Sequence, residues 1–251
     1  MYGFYNNLST EVYDLDKPVG HSFGDVEYYL DRLKDVEGKV LEPAVGTGRV
    51  MIPLIEAGFK VEGMDLSSDM LDLCKDHCEA RGIPTRLFKG SMHTLSIEEQ
   101  YEAIILPAGS FLLMEDRDQA HQALGNFYKH LKPGGRLILD IFLTTDFDTG
   151  RVKTREWQTL DGDLITLEEK LTEVDYVKQL TVAHHKYEKW HNQQLVEAEI
   201  ERFPLKWYGV EEFRMMLETT GFKDIVISAN YQYDRKPTES GQMMTYEAKK
   251  V

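Results

Sequence analysis

The chain has 251 residues, 42% of them hydrophobic, and a formal net charge of −14, which suits one large α/β domain with an insertion or two small domains. The acidic balance argues against a nucleic-acid partner, because phosphate binding uses clustered Lys and Arg. No apolar run approaches the ~20 residues of a membrane span and the N-terminus lacks a secretory signal, so we expect a cytoplasmic protein with no membrane partner.

Strand-like and helix-like segments alternate along the first 140 residues. The pattern predicts strands at 39–41, 59–65, 85–88, 103–106 and 136–142, a turn at 132–135, and helices at 25–34, at 50–57, from Ser67 or Ser68 to the break at 81–84, and from Asp116 to Leu131. This alternation predicts right-handed βαβ units around a parallel sheet. Ligands of such sheets bind outside the carboxyl ends of the strands.

The character of the sequence changes from about Val152 to Phe203, where β-branched and aromatic residues often alternate with polar ones. The pattern predicts three or four antiparallel strands inserted after the fifth strand, with turns at Asp161–Gly162 and His191–Asn192. A helix over 209–220 and strands over 224–231 and 242–248 complete the prediction.

The two cysteines, Cys74 and Cys78, lie four residues apart in a predicted helix. Side chains at that spacing share a face, so we expect two partly buried, reduced thiols. A metal site needs further ligands at recognisable spacings, and none is apparent in the sequence, so we predict no metal.

The most informative segment is Lys39–Arg49, in which a short apolar run leads through Glu42 into a loop with Gly46 and Gly48. A strand, a glycine loop and a helix in this order bring backbone N–H groups and a helix N-terminus up to a ligand. A dinucleotide fingerprint needs a third glycine at position 51, which is Met. Glu42 also suits a cationic ligand better than a pyrophosphate.

A second acid, Asp65, ends the next predicted strand, 17 residues after Gly48. An acid about 20 residues after such a loop commonly accepts hydrogen bonds from a ribose diol, and a carboxylate has two oxygens for that purpose. Leu66 and Met70 offer apolar contact to an adenine. The pattern therefore predicts a nucleoside ligand that carries positive charge.

These segments together resemble the class I S-adenosylmethionine-dependent methyltransferases. Val40–Gly48 looks like the first motif of the family, Gly63–Leu71 like the segment after its second strand, and Leu131–Leu137 like the turn before its fifth strand. The resemblance covers about residues 13–143 by motif, and the remainder by layout.

The fold that this resemblance implies is a Rossmann-like, seven-stranded, mostly parallel sheet with helices on both faces and an antiparallel last strand. Residues 1–150 and 204–251 are then the methyltransferase domain, which binds S-adenosylmethionine. Residues 151–203 are the antiparallel β insertion, which we expect to cover the acceptor site.

Carried over position by position, the resemblance also implies the contacts to the cofactor. The residues that contact its methionine part are Glu42, Ala44, Gly46 and Gly48, and Asp65 binds the ribose. The residues that contact the adenine are Leu66, Met70, Ser91 and Met92. Those that lie near the sulfonium are Leu106, Pro107 and Ala108. Ala44 replaces the first glycine of the family motif and narrows the approach to the loop. Ser91 stands where the family often has Asp, so a hydroxyl takes the place of that acceptor.

The N-terminal stretch Tyr13–His21 resembles the lid of small-molecule methyltransferases, aminosugar N-methyltransferases among them. In those enzymes a Tyr closes over the methionine end of the cofactor, and Tyr13 is the candidate here. The aromatic and basic residues of the insertion that are candidates to face the acceptor are Trp157, Tyr187, Trp190 and Arg202.

The sequence assigns no catalytic residue. A neutral amine acceptor needs no strong base, whereas a hydroxyl acceptor benefits from one, most often His. The candidates are His21, His184, His185 and His191. His184 and His185 are adjacent on a predicted strand, so they face opposite sides of it.

We therefore predict an enzyme that transfers a methyl group from S-adenosylmethionine to a nitrogen or oxygen of a small molecule by in-line displacement, leaving S-adenosylhomocysteine.

One alternative is a non-catalytic module that binds the cofactor. A nicotinamide-dependent oxidoreductase is disfavoured by Met51 and Glu42. A methyltransferase of proteins or nucleic acids is a further alternative; for nucleic acids, the charge and the absence of an Asn-Pro-Pro-Tyr-type motif at Leu106–Ser110 argue against it. The sequence identifies neither the acceptor nor the oligomeric state, for which a homodimer is one option.

Overall fold

The computed structural model describes residues 5–251. Its larger sheet consists of β1 Lys39–Pro43, β2 Lys60–Asp65, β3 Leu87–Lys89, β4 Tyr101–Leu106, β5 Leu131–Phe142, β10 Lys223–Ala229 and β11 Met243–Lys249. The strand order is β10-β11-β5-β4-β1-β2-β3. β11 runs antiparallel to both of its neighbours, whereas β1 to β5 pair in parallel. The predicted mostly parallel sheet with an antiparallel last strand is confirmed.

Helices cover both faces of this sheet: α2 Asp25–Leu33, α3 Met51–Glu56, α4 Ser68–Ala80, α5 Arg117–His130 and α6 Val210–Thr220. α4 begins after Ser67, whose Oγ accepts from the Met70 N–H at 3.2 Å. α5 begins after Asp116, whose Oδ1 accepts from the Asp118 N–H at 2.8 Å and from the Gln119 N–H at 2.9 Å. Such side chains satisfy donors that have no partner within the helix, which is why the sequence located both starts.

The smaller sheet is antiparallel and has the order β6-β7-β8-β9. Its strands are β6 Val152–Gln158, β7 Leu164–Asp175, β8 Leu180–His191 and β9 Gln194–Lys206. Ile165, Leu167 and Tyr187 are buried on one face, where they pack against Leu8 and Val12 of the N-terminal helix α1, Asn7–Asp16. The predicted antiparallel strands after the fifth strand are confirmed, and there are four of them.

Two features differ from the sequence prediction. α1 was not predicted as a helix. Residues 132–135 form an irregularity within β5 rather than a turn before it, because Leu131 already pairs with Tyr101, and pairing resumes between Arg136 and Ala103. Both cysteines are free and buried, as expected. Within residues 5–251, no helix is long and apolar enough to cross a membrane.

Candidate functional site

A cavity of about 400 Å³ opens beside the carboxyl ends of β1, β2 and β3. Eight of the thirteen residues predicted to contact the cofactor line it: Tyr13, Ala44, Gly46, Asp65, Leu66, Met70, Ser91 and Met92. The other five are not among its lining residues in the described part of the chain: Glu42, Gly48, Leu106, Pro107 and Ala108.

The sequence prediction missed the far wall of this cavity, which lies between β4 and α5 and at the start of α5. It consists of Ser110, Leu113, Met114, Glu115, Asp116 and Gln119. This segment forms a 3-10 turn over Pro107–Leu113 followed by the helix start, and it has no recognisable motif. Other lining residues adjoin predicted ones in sequence and could have been included on that ground: Met64, Ser67, Gly90 and His93.

Asp65 ties the glycine loop to the start of α4. Its Oδ2 accepts from the Gly46 N–H and its Oδ1 from the Ser67 N–H, both at 2.9 Å. Burial raises the pKa of the Asp65 carboxyl, and these backbone donors oppose the rise. Asp65 lines the cavity, and each of its oxygens has the capacity to accept a further hydrogen bond, which is the chemistry that a ribose diol requires.

The loop itself adopts a backbone that L-residues rarely use. Gly46 and Gly48 have φ of 57° and 87°, and Ala44 has φ of 63°. A Cβ on Gly48 would lie 2.9 Å from Cys74 Sγ, so Gly48 permits the close packing of the loop against α4. Gly46 instead faces the cavity, where a Cβ would meet the Tyr13 ring at 3.8 Å.

Glu42 lies behind the loop, with only 3% of its surface exposed. Within residues 5–251, its Oε2 has no hydrogen-bond partner. Burial raises the pKa of Glu42 well above its usual range, and Arg49 opposes that rise. Arg49 is already engaged by Asp25 Oδ2 at 2.5 Å and the His21 carbonyl at 2.6 Å. A buried carboxyl oxygen without a partner is rare and has the capacity to accept from a ligand donor.

The segment after β4 is held by Asp140 of β5. Ala108 has φ of 59°, and its N–H donates to Asp140 Oδ2 at 2.9 Å. Asp140 also accepts from Thr245 Oγ1 at 2.7 Å and from the Tyr231 hydroxyl at 3.0 Å. Burial raises the pKa of Asp140 to about 6. Asp140 thus fixes the backbone that follows β4 and precedes the far wall of the cavity.

On the β3 side of the cavity, Ser91 Oγ lies 2.7 Å from His93 Nδ1. The next residue, Met92, is held through its carbonyl, which accepts from Asn126 Nδ2 at 3.1 Å. A Ser hydroxyl both donates and accepts, so Ser91 keeps a further hydrogen-bonding capacity beside His93.

A second cavity, of about 130 Å³, lies between α1 and the four-stranded sheet. Tyr5 and Tyr13 line both cavities, and their rings meet edge to face at 5.7 Å. The Tyr5 carbonyl accepts from Ser67 Oγ at 2.7 Å, and the Tyr5 N–H donates to Glu201 Oε1 at 3.0 Å. The start of the chain therefore bridges the loop after β2 and the smaller sheet.

The candidate residues of the insertion divide between two locations. Trp157 and Tyr187 line the second cavity, whereas Trp190 and Arg202 are not among its lining residues within 5–251. Arg202 forms a bidentate pair with Glu115 on the far wall of the first cavity, at 2.5 and 2.8 Å.

The candidate histidines are separated in the same way. His185 is buried and lines the second cavity. The other three are exposed: His21, His184 and His191. The predicted opposite orientation of His184 and His185 is confirmed by this difference in burial.

Comparisons with known proteins agree with this fold. A methyltransferase domain model matches residues 40–135. The chain is 24% identical to a putative methyltransferase of Bacillus subtilis (strain 168) over 85% of each chain. It is 29% identical to the glycine/sarcosine N-methyltransferase of Aphanothece halophytica over 84% of this chain and 76% of that protein.

The structure of the sugar N-methyltransferase KedS8 from Streptoalloteichus sp ATCC 53650 superposes with a TM-score of 0.74 at 18% identity, over 100% of this chain and 97% of that one. Together with the ordered motifs and the strand order, these similarities support a class I S-adenosylmethionine-dependent methyltransferase. The same similarities support an enzyme that uses S-adenosylmethionine as its cofactor.

Proposed function

We propose that this enzyme methylates a nitrogen or oxygen of a small molecule, and that S-adenosylhomocysteine is the other product. The observation that carries the proposal is the pair of adjoining cavities, which share Tyr5 and Tyr13 as a common wall. The larger has the residues expected of a cofactor site. The smaller, at about 130 Å³, has room for a small acceptor or for one group of it.

The residues present in the larger cavity fit the cofactor. Asp65 would hold the ribose hydroxyls, and Leu66 and Met70 would pack on the adenine. Glu42 does not line this cavity within residues 5–251, but its unpartnered Oε2 would accept from the ammonium of the methionine part. When bound, S-adenosylmethionine supplies a methyl group on a positively charged sulfur, which is already activated for displacement.

The contribution of the protein is then mainly alignment and exclusion of water, because the donor needs no further activation. Tyr13 closes the side of the cavity that faces α1. The β insertion, residues 151–203, covers the acceptor. Support for a small acceptor comes from similar proteins, two of which are named as N-methyltransferases of glycine/sarcosine and of a sugar.

A turnover assay tests the proposal. The full chain is incubated with S-adenosylmethionine and separate pools of small amines, alcohols and phenols, and S-adenosylhomocysteine is quantified by mass spectrometry. We expect formation above the acceptor-free background in at least one pool. Tight binding of S-adenosylhomocysteine with no turnover in any pool would favour the non-catalytic alternative.

A further inference from the structure

The smaller cavity contains a cluster of ionisable groups that cofactor binding does not use. Glu201 of β9 is fully buried, and His185 of β8 is 9% exposed. His185 Nδ1 lies 3.5 Å from Glu201 Oε2, and His185 Nε2 lies 3.9 Å from Glu169 Oε2 on β7. The imidazole is thus placed between two carboxylates, and it stacks on Phe203 at 4.6 Å.

We propose that the acceptor is an amine, bound in this cavity as its ammonium form, and that His185 removes its proton before methyl transfer. This inference rests on the proposed function and names the acceptor class and the base for it. Glu201 is assigned as a positioning residue, because its Oε2 lies 3.5 Å from Nδ1 of the imidazole that acts on the substrate.

The charges around the cavity favour a cation. On the α1 side, Asp16 is paired with Lys17 at 2.9 Å and with Arg155 of β6. These two basic residues are therefore directed to Asp16, while Glu169 and Glu201 have His185 between them. Counting all five charged groups that line the cavity leaves a net charge of −1 with His185 neutral. Glu201 already accepts from the Tyr5 N–H at 3.0 Å and from the Tyr187 hydroxyl at 3.5 Å, and the remaining net negative charge of the cavity attracts a cation rather than an anion.

Aromatic surfaces complete the surroundings of His185. Tyr187 lies on the same strand, with its ring 6.3 Å from that of His185. Trp157, Tyr5 and Tyr13 line the other sides. Faces of such rings attract cations: Arg155 already lies over the Trp157 ring at 4.6 Å and Lys17 over the Tyr13 ring at 4.8 Å, so Tyr5 and Tyr187 are the rings left for an ammonium. No other candidate histidine in residues 5–251 combines burial with this cavity; His93 lines the larger cavity, where its Nδ1 is 2.7 Å from Ser91 Oγ.

The proposed step balances as follows. The ammonium gives one proton to the neutral imidazole of His185 and becomes an amine with a free electron pair. That pair forms the N–C bond to the methyl group as the C–S bond breaks, and the electrons of the C–S bond remain on sulfur, giving the neutral thioether. The product is a methylated ammonium, and His185 returns its proton to solvent.

Binding of probes tests the amine preference without turnover. Protein saturated with S-adenosylhomocysteine is titrated with cyclohexylamine and cyclohexanol, and with benzylamine and benzyl alcohol, by NMR. We expect each amine to bind at least ~10-fold more tightly than its alcohol, as one charge-assisted contact provides, and Glu201→Gln to reduce that ratio. Equal binding of amine and alcohol overturns the assignment.

Kinetics test His185. We expect His185→Ala to lower kcat/KM for an accepted amine by ~10²-fold or more at pH 7, the contribution typical of a general base. The deficit should shrink as the pH approaches the pKa of the free amine, because neutral substrate then arrives from solution. His184→Ala, on the opposite face, is the matched control.

If His185→Ala lowers kcat/KM equally at every pH, or if His184→Ala lowers it to the same extent, the role of His185 is overturned. Unchanged S-adenosylhomocysteine binding by His185→Ala verifies that the variant is folded. Absence of turnover with any acceptor class by the unaltered enzyme refutes the proposed function itself. Turnover restricted to hydroxyl acceptors refutes only the amine assignment.

Discussion

Glu199 of β9 caps the N-terminus of α1 from a distance of 191 residues along the chain: its Oε2 accepts from the Leu8 N–H at 2.9 Å. Its Oε1 accepts from Ser9 Oγ at 2.6 Å. Asn6, at the N-cap position of α1, provides no side-chain cap within the described residues. The smaller sheet therefore supplies the group that the helix start lacks, and it does so with a charge that suits the helix dipole.

Glu199→Ala should destabilise the protein by about 1–2 kcal/mol, the usual effect of removing a cap. Because α1 carries Tyr13 into the cavity wall, S-adenosylhomocysteine should also bind several-fold more weakly, as measured by calorimetry. Glu197→Ala is the control. Among the described hydrogen bonds, Glu197 accepts one, from the exposed Asn7 side chain at 3.0 Å. Equal effects of both substitutions would contradict the capping role.

Asp65→Ala should weaken S-adenosylhomocysteine binding by ~10- to 100-fold, which corresponds to about 1.5–3 kcal/mol for hydrogen bonds to a charged group. Part of this loss of affinity arises because the substitution also removes the acceptor of the Gly46 and Ser67 N–H groups, which both donate to the carboxylate at 2.9 Å. Asp69→Ala, an exposed position in the first turn of α4, serves as the control. Unchanged affinity in a folded Asp65→Ala protein would refute the ribose role.

The extent to which the sequence predicted this molecule follows from how local each signal is. Buried parallel strands are apolar runs, and helix starts such as Ser67 and Asp116 carry their caps within three residues, so the larger sheet was predictable. α1 was not, because its cap lies on β9. The second cavity was not predictable either, since it joins Tyr13 to His185 and Glu201 from distant segments of the chain.

The same distinction applies within the site. Asp65 and Gly46 follow strands at recognisable spacings, and they do line the cavity. Glu42 belongs to the same motif, but it is buried on β1 and is not among the residues that line the cavity within residues 5–251. Its proposed contact with the methionine part therefore rests on the unpartnered Oε2.

Ala44→Gly should leave the fold intact and stabilise it by up to about 1 kcal/mol. The residue has φ of 63°, a conformation that costs an L-residue roughly 1–2 kcal/mol, and the greater freedom of Gly in the unfolded chain offsets part of this gain. Ala120→Gly, within α5, should destabilise by about 1 kcal/mol. Urea unfolding of both variants measures the difference, and destabilisation by Ala44→Gly would show that its Cβ contacts outweigh the backbone strain.

Asp140 should make stability depend on pH in the direction opposite to that of a salt-bridged carboxylate. Burial raises the pKa of Asp140 to about 6, so between about pH 4 and pH 6 the folded state holds a proton that the unfolded chain has released. The free energy of unfolding therefore falls as pH rises through this range, by on the order of 3 kcal/mol, and is level above it.

Asp140→Asn should flatten that part of the pH profile, whereas Asp161→Asn in the exposed turn between β6 and β7 should leave it unchanged. Tyr231→Phe removes a hydroxyl that donates to Asp140 Oδ2 at 3.0 Å and favours its ionised form. The pKa of Asp140 should then rise further, and the fall in stability should extend to higher pH. Urea unfolding from pH 4 to pH 8 tests this, and a profile in Asp140→Asn parallel to that of the unaltered protein would rule out Asp140 as the titrating group.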